Sequence, residues 1–383
     1  MDINLPEDVA AIVETTKSVV KGLLPLEPEF QRTGVVPDQV KEVLLENGYY
    51  TVNFPESFGG LGLGALATAC VQAELAHLPP QFWAECRALM GPSSRVLLNH
   101  GSAAQQEEWL PKMMAGEVGT SIGITEPQGG SDISGMRSTA VRDGNGWLLN
   151  GEKTYISNGL KAGVCFILCY TDKSKGPRGG MSLFVVPRDD TGEAGYKVSG
   201  TLELMGTATP GVASLSFDDL KLPAEALVGE EGKGLAYVME GLNSGRMSVG
   251  ATALGMGEFA LELATDWALE REVHGGRLAD KQAMQHMLAD MKLDMHAARI
   301  VMYEATSRYD AGQGTRSSSA MSKLLCTEAG WRTVDKALQI FGGAGYVRGM
   351  TVERLYRDVR ITRIYEGSSE VLRNTIAKEM LAA

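Results

Sequence analysis

Three stretches of the chain concentrate residue types that can do chemistry. Gly123-Ile124-Thr125-Glu126-Pro127-Gln128-Gly129-Gly130-Ser131-Asp132 sets hydroxyls among glycines. Such a loop can offer backbone N–H groups and hydroxyls to a flat heterocycle or an anion. The same composition also makes a plain turn of a β domain. Lys153-Thr154-Tyr155-Ile156-Ser157-Asn158-Gly159 puts an aromatic ring and a hydroxyl two residues apart, which on a strand is one face. Ordinary strands share that pattern. Near the C-terminus, Arg357 to Arg363 leads into Ile364-Tyr365-Glu366-Gly367-Ser368-Ser369-Glu370. Glu366 reads either as a residue before a helix capped by Ser368 or Ser369, or as a carboxylate directed into a cleft. In a cleft, loss of solvent favours proton uptake and suits a general base.

Other chemistries lack their residues. No GxxxxGK[ST] phosphate loop occurs, and no GxGxxG lies between a strand and a helix. His77, His100, His274, His286 and His296 are scattered without HxxxH or HExxH spacing, so no metal is expected. Cys70, Cys86, Cys165, Cys169 and Cys326 are odd in number and far apart, which reads as buried reduced thiols. A net charge of −11 argues against nucleic acid, whose phosphates require clustered Lys and Arg. It leaves room for a small anion held by a few local donors.

The elements that must position these residues follow from hydrophobic periodicity. Residues 1–120 show apolar positions at three-to-four spacing over 9–24, 40–45, 66–77, 95–98 and 103–114, with a turn-rich break at Pro55-Glu56-Ser57-Phe58-Gly59-Gly60-Leu61-Gly62. Over 121–232 the period shortens. Runs at 146–151, 164–170, 181–187, 196–202 and 212–217, bounded by Gly, Asn and Asp, predict a compact β sandwich or barrel. From 233 to 383 the helical period returns, with long segments over 247–273, 282–310 and 321–341. The expected fold is mainly α with a central β domain, in helical, β, helical order. The 18 methionines, many inside these helices, read as core filling.

At 383 residues, 44% hydrophobic and 22% charged, the composition is that of a globular chain. No run reaches the roughly 18–20 apolar residues of a membrane span, so no membrane is expected. Met1-Asp2-Ile3-Asn4-Leu5-Pro6-Glu7-Asp8 has neither an apolar signal core nor transit-peptide character, and the expectation is a cytoplasmic protein.

Taken in order, these segments resemble the acyl-CoA dehydrogenase family over essentially the whole chain. Pro55 to Gly62 looks like its N-terminal loop, and Ile124-Thr125-Glu126-Pro127 with Gly130-Ser131-Asp132 like its flavin loop. Phe217-Asp218-Asp219 with Pro223 and Gly229 resembles the close of its β domain. Gln339-Ile340-Phe341-Gly342-Gly343 and Ile364-Tyr365-Glu366-Gly367-Ser368-Ser369 resemble its two C-terminal signatures. Each match is weak alone, and together they are specific because each sits in its expected context.

The resemblance implies an N-terminal helical domain, a middle β domain and a C-terminal four-helix bundle binding FAD. Ile122, Ile124, Thr125, Gly130 and Ser131 would line the flavin, with Tyr155, Ile156 and Ser157 on its other side. Arg271 and Gln282 match the pair that reaches the FAD diphosphate and adenosine from a neighbouring subunit, a role that suits the arginine fork. Gln339, Gly342 and Gly343 would touch the same portion, with Ser368 and Glu370 near it. Glu366 would be the base, Arg246 would lie near it, and Ser131, Asn243 and Gly367 would line the thioester path. An acyl-CoA substrate, electron-transfer flavoprotein as acceptor and a homo-oligomer, usually a tetramer, are implied as well.

The sequence departs from the family in places. His274 stands where an aromatic Phe is common, with a cofactor-stacking role left to imidazole, and Asn243 and Ser244 are uncommon choices. Some relatives carry the base just before the matching arginine, where this chain has Gly245. The helix with Trp83, Glu85, Arg87 and Met90 would help form the acyl pocket, and Arg87 could pair with a distal acid. Two alternatives stay open: a same-fold oxidase, monooxygenase or desulfinating enzyme, and a non-catalytic flavin-binding assembly protein.

Overall fold

The computed structural model describes residues 5–89, 91–206 and 211–382, with the side chains of Arg87 and Ala88 also outside the description. Its first part is helical: α1 (Glu7–Leu23), α2 (Glu27–Thr33), α3 (Asp38–Glu46), α4 (Ala65–Leu75), α5 (Pro80–Leu89), α6 (Pro92–His100) and α7 (Ala103–Met114). A capping box opens α7: Ser102 Oγ accepts from the Gln105 N–H at 3.2 Å, and Gln105 Oε1 accepts from the Ser102 N–H at 3.0 Å. The Ala-rich α4 is nearly all buried, because small side chains let it lie close against α1 and the long helix that follows the sheet.

The middle part contains β1 (Thr120–Gly123), β2 (Thr139–Asp143), β3 (Gly146–Ile156), β4 (Val164–Tyr170), the short α8 (Gly176–Gly180), β5 (Met181–Pro187), β6 (Tyr196–Thr201) and β7 (Ala213–Leu222). These strands form one seven-stranded sheet in the order β1-β4-β2-β3-β7-β6, with β5 on β4. Strand β4 is buried along its whole length, which explains why it reads as a continuous apolar run instead of an alternation. Trp147, Phe184, Tyr196 and Phe217 fill a separate core on this sheet, in edge-to-face pairs.

The last part is α9 (Gly234–Glu270), a hairpin of β8 (Glu272–Val273) and β9 (Gly276–Arg277), α10 (Gln282–Asp310), α11 (Arg316–Phe341), α12 (Thr351–Val359) and α13 (Ser369–Leu381). Helices α9 and α11 run parallel: Gly250 lies on Lys323, Gly257 on Gly330, and Trp267 stacks on Phe341 with ring centroids 4.7 Å apart. Glycine is required at their closest approach, because a Cβ on Gly330 would overlap the Ala253 carbonyl. Helix α10 runs antiparallel to α11, with Asp290 on Lys336 and Asp294 on Arg332. A buried triad joins the helical parts: Arg354 Nε donates to Glu27 Oε1 at 2.7 Å, and its Nη1 to Asp358 Oδ2 at 3.4 Å. Among the described residues no helix is long and apolar enough to cross a membrane.

Candidate active site

The sequence-predicted residues fall into three groups in space. The first is on the rim of the sheet. Beyond β1, the chain turns at Glu126, whose N–H donates to Gly129 O at 3.2 Å and whose O accepts from the Gly129 N–H at 3.0 Å. The Glu126 side chain anchors this turn from below, accepting from Lys153 Nζ at 2.8 Å and from the backbone N–H groups of Arg137 (2.6 Å) and Ser138 (3.0 Å). Burial by itself would raise the Glu126 carboxyl, but Lys153 and the other donors bring it down to about 2. The turn therefore leaves Gly130 and Ser131 exposed, with Ile122, Ile124 and Thr125 half-buried beside them.

The second motif lies against this loop, since the Thr154 N–H donates to Thr125 O at 2.9 Å. Tyr155 and Ser157 are exposed on either side of buried Ile156. The regular strand expected to put both on one face is not present at this point. Tyr155 is left-handed (φ 56°), the ladder with β7 shifts register between Lys153 and Ile156, and Ser157 lies in the turn after β3. Ile156 is committed to the core of the sheet, which leaves only its backbone for a ligand.

The rim fits the flavin that the resemblance implies. A Tyr155 ring 66% exposed, beside a polar glycine loop, is an apolar plate with hydrogen-bonding groups at its edge. A flat heterocycle bearing polar atoms matches that surface.

The second group surrounds Glu366, which is half-buried and left-handed (φ 52°) ahead of Gly367 (φ 96°). Its carboxylate rests on α9 at Gly245: a Cβ built there would stand 3.1 Å from Glu366 Cδ and closer still to Oε2. Glycine at 245 leaves the carboxylate the space that a side chain there would take. Arg246 is 4% exposed, and its Nε donates to Glu366 O and its Nη1 to Asn243 Oδ1, each at 3.4 Å. Burial holds the Arg246 guanidinium below its ordinary value, with Glu366 beside it opposing that shift and Arg316 adding to it. Ser368 caps α13, accepting from the Val371 N–H at 3.4 Å, and Glu370 is exposed in its first turn. The helix-cap reading of this stretch holds at Ser368, and the carboxylate two residues before it rests against α9.

The third group is remote. Arg271 follows the C-terminus of α9, and Gly245 to Arg271 is a run of roughly 39 Å at helical rise. His274 (φ 47°) and Gly275 (φ 74°) form the two-residue turn of the β8–β9 hairpin, which demands two left-handed residues. Gln282 begins α10 and is exposed, as are Gln339 and the glycines Gly342 and Gly343 that end α11. The Trp267–Phe341 stack places these residues at one end of the bundle and Glu366 at the other.

Non-glycine residues rarely hold a positive φ, because Cβ crowds the backbone. Tyr155, Asn158, Asp219, His274 and Glu366 do so among the described residues, and three of them are predicted site residues. Trp83, expected near an acyl pocket, is fully buried in the main core, and Glu85 accepts from the Tyr50 hydroxyl at 2.6 Å. Met90 and the Arg87 side chain lie outside the described residues.

Sequence reasoning missed Lys323, which is fully buried beside Glu366. The signal was there: on α11, Ser319, Lys323, Cys326 and Gly330 recur at buried helical spacing, so the lysine interrupts a small and apolar stripe. It also missed the Glu126–Lys153 pair, since nothing local connects a loop acid to a lysine on a later strand.

Comparison with known proteins gives three family matches: "Acyl-CoA dehydrogenase, N-terminal domain" over residues 6–117, "middle domain" over 121–220 and "C-terminal domain" over 232–381. An acryloyl-CoA reductase (NADH) of Anaerotignum propionicum is 34% identical, covering 100% of this chain and 96% of the relative. The mitochondrial short-chain specific acyl-CoA dehydrogenase of Mus musculus is 33% identical, covering 99% and 91%. The solved butyryl-CoA dehydrogenase of Megasphaera elsdenii superposes with a TM-score of 0.93 at 32% identity, covering 100% of both chains.

Proposed function

Because this chain belongs to the acyl-CoA dehydrogenase family of FAD-dependent oxidoreductases, we propose that it removes the α-proton of an acyl-CoA thioester with Glu366 and releases the 2-enoyl-CoA. The observation that carries this reading is the Glu366 carboxylate seated on Gly245, with the Arg246 guanidinium beside it. A base must be held within hydrogen-bonding reach of the proton it takes, by surroundings that fix its rotamer.

The chain's own residues divide the work. Ile122, Ile124, Thr125, Gly130, Ser131, Tyr155, the Ile156 backbone and Ser157 hold the flavin at the rim. Bound FAD supplies the two-electron acceptor for the hydride that leaves Cβ. The backbone N–H of Glu366 donates to the thioester carbonyl, which acidifies the α-carbon as an oxyanion donor does. Glu366 breaks the α C–H bond and keeps the proton. Asn243, Arg246, Ser131 and Gly367 line the thioester path, and Arg246 holds the loop by its bond to Glu366 O. At the far end, Arg271, His274, Gln282, Gln339, Gly342 and Gly343 serve the diphosphate and adenosine of a neighbouring subunit's FAD, whereas Ser368 and Glu370, expected near that same portion, stand beside Glu366 and serve this chain's own cofactor. The roughly 39 Å between Gly245 and Arg271 supports that assignment, since no single dinucleotide spans it. A homo-oligomer, with electron-transfer flavoprotein as electron acceptor, completes the proposal.

Anaerobic mixing with a panel of acyl-CoA thioesters tests it. At least one should bleach the flavin, and Glu366→Gln should retain FAD and lose the bleaching. Bleaching that persists in Glu366→Gln removes the assignment. The likeness to an acryloyl-CoA reductase favours a second reading, in which the same residues run the reverse reaction. Reoxidation of dithionite-reduced enzyme by a 2-enoyl-CoA that outpaces bleaching by its saturated partner would select it.

A further inference from the structure

Helix α11 turns a face of small residues toward α9, and a single lysine stands in it. Lys323 is 0% exposed, and its Nζ donates to two backbone carbonyls, Tyr365 O at 2.8 Å and Gly367 O at 2.6 Å. Those carbonyls bracket Glu366. Both Glu366 (φ 52°) and Gly367 (φ 96°) are left-handed, and such a turn relaxes unless its surroundings over-determine it. Burying an ammonium is costly unless its donors are satisfied, so this contact is a specific one and not filler.

We propose that Lys323 is a positioning residue that clamps the Tyr365–Gly367 turn and thereby aims both the carboxylate and the backbone N–H of Glu366. The inference rests on Glu366 being the base. Its geometry follows from the planar trans peptide, in which the Tyr365 carbonyl and the Glu366 N–H point in opposite directions. Holding the carbonyl toward α11 turns the N–H away from it, on the side left for a thioester. Holding Gly367 O as well fixes the far end of the turn, so the Glu366 side chain leaves the backbone toward Gly245 on α9. Arg246 braces the same turn through Glu366 O at 3.4 Å. The charged groups facing Lys323 are Glu366 on the turn, Arg246 on α9 and Glu328 on its own helix. Burial pushes the ammonium down to about 8, with Glu366 and Glu328 raising it and Arg246 lowering it. At pH 7 it still carries its proton and all three donors.

Lys323→Met removes the donors at nearly constant length, and Lys323→Gln keeps a shorter donor. In the FAD-loaded enzyme, the acyl-CoA that bleaches wild type fastest should bleach Lys323→Met about 100-fold more slowly, with Lys323→Gln between them. The loss should fall on the limiting rate and leave half-saturation little changed, because the clamp orients reacting groups and does not bind substrate. Hydrogen exchange should read the clamp directly: amides of 361–368 exchange at least tenfold faster in Lys323→Met, while those of α9 and α10 do not change. Lys323→Gln reports the same order should the Met variant fail to fold. Bleaching per bound flavin within threefold of wild type, with unchanged protection over 361–368, overturns the proposal. So does a variant whose only defect is lower melting temperature and lower FAD content. Glu366→Gln run alongside separates the two readings, since its bleaching tests the base and the exchange pattern tests the clamp.

Discussion

Gly245→Ala is the sharpest perturbation available to this site. The added methyl would lie 3.1 Å from Glu366 Cδ, against the roughly 3.5–4.0 Å at which carbon atoms pack, and closer still to Oε2. The carboxylate must retreat by about 0.5–1 Å. Because the obstructed atoms end a flexible side chain, the fold gives way there without moving a helix. Alanine inside α9 even gains about 1 kcal/mol over glycine in helix propensity. Catalysis does not share that tolerance, since a misplacement of about 1 Å costs on the order of 100-fold, or about 2.7 kcal/mol in the barrier. The assay is anaerobic stopped-flow bleaching of the yellow flavin absorbance, with FAD content and melting temperature measured on the same preparation. The expected result is a stable, fully yellow protein that bleaches about 100-fold more slowly. Bleaching within threefold of wild type would refute the reasoning, because the reacting carboxylate could not then be the one resting on Gly245.

The other predictions concern the elements around the site. Glu126→Gln should destabilise the protein by about 3–5 kcal/mol and weaken FAD retention, because it leaves the fully buried Lys153 without its counter-charge; denaturant melts and FAD titration check this. Burial first, opposed by Lys17 and reinforced by Glu258, pushes the Glu74 carboxyl up to about 7 from its ordinary 4.5. The folded state then binds more protons than the unfolded one between those values, so this group's contribution is full below about 4.5 and lost as pH rises through about 7. Glu74→Gln should therefore gain melting temperature over wild type at pH 8 and lose that gain at pH 5, and equal shifts at both pH values would contradict the assignment. Arg271→Ala and Glu366→Gln protomers, each inactive alone, should recover activity when mixed into one oligomer if Arg271 serves a neighbour's cofactor. Mixtures that stay inactive, with subunit exchange verified by mass, would place Arg271 in its own chain's site.

What could be read in advance depended on how local its cause was. Periodicity gave α10 its ends at Gln282 and Asp310, and gave β4 and β5 theirs, because amphipathic spacing and bounding turn residues act over a few residues. Helix α9 was read as starting at 247, whereas it begins at Gly234. Its first turns carry Gly241, Asn243, Ser244 and Gly245, whose low helix propensity is overridden by packing. The three chemical motifs were legible because glycine, hydroxyl and carboxylate types cluster along the chain. The Ser368 cap was legible for the same reason.

By itself, the sequence determined the order of helical, β and helical parts, the family, and Glu366 as the carboxylate to examine. Only the tertiary structure decided what surrounds that carboxylate. Gly245, Arg246 and Lys323 meet Glu366 across 43 to 121 positions of chain, brought together because glycines let α9 and α11 approach closely. The left-handed backbone at Tyr155 and Glu366, and the charge of a fully buried lysine, are likewise set by partners distant in sequence. A residue's type travels with the chain, but its backbone conformation, its solvation and its neighbours belong to the packed whole.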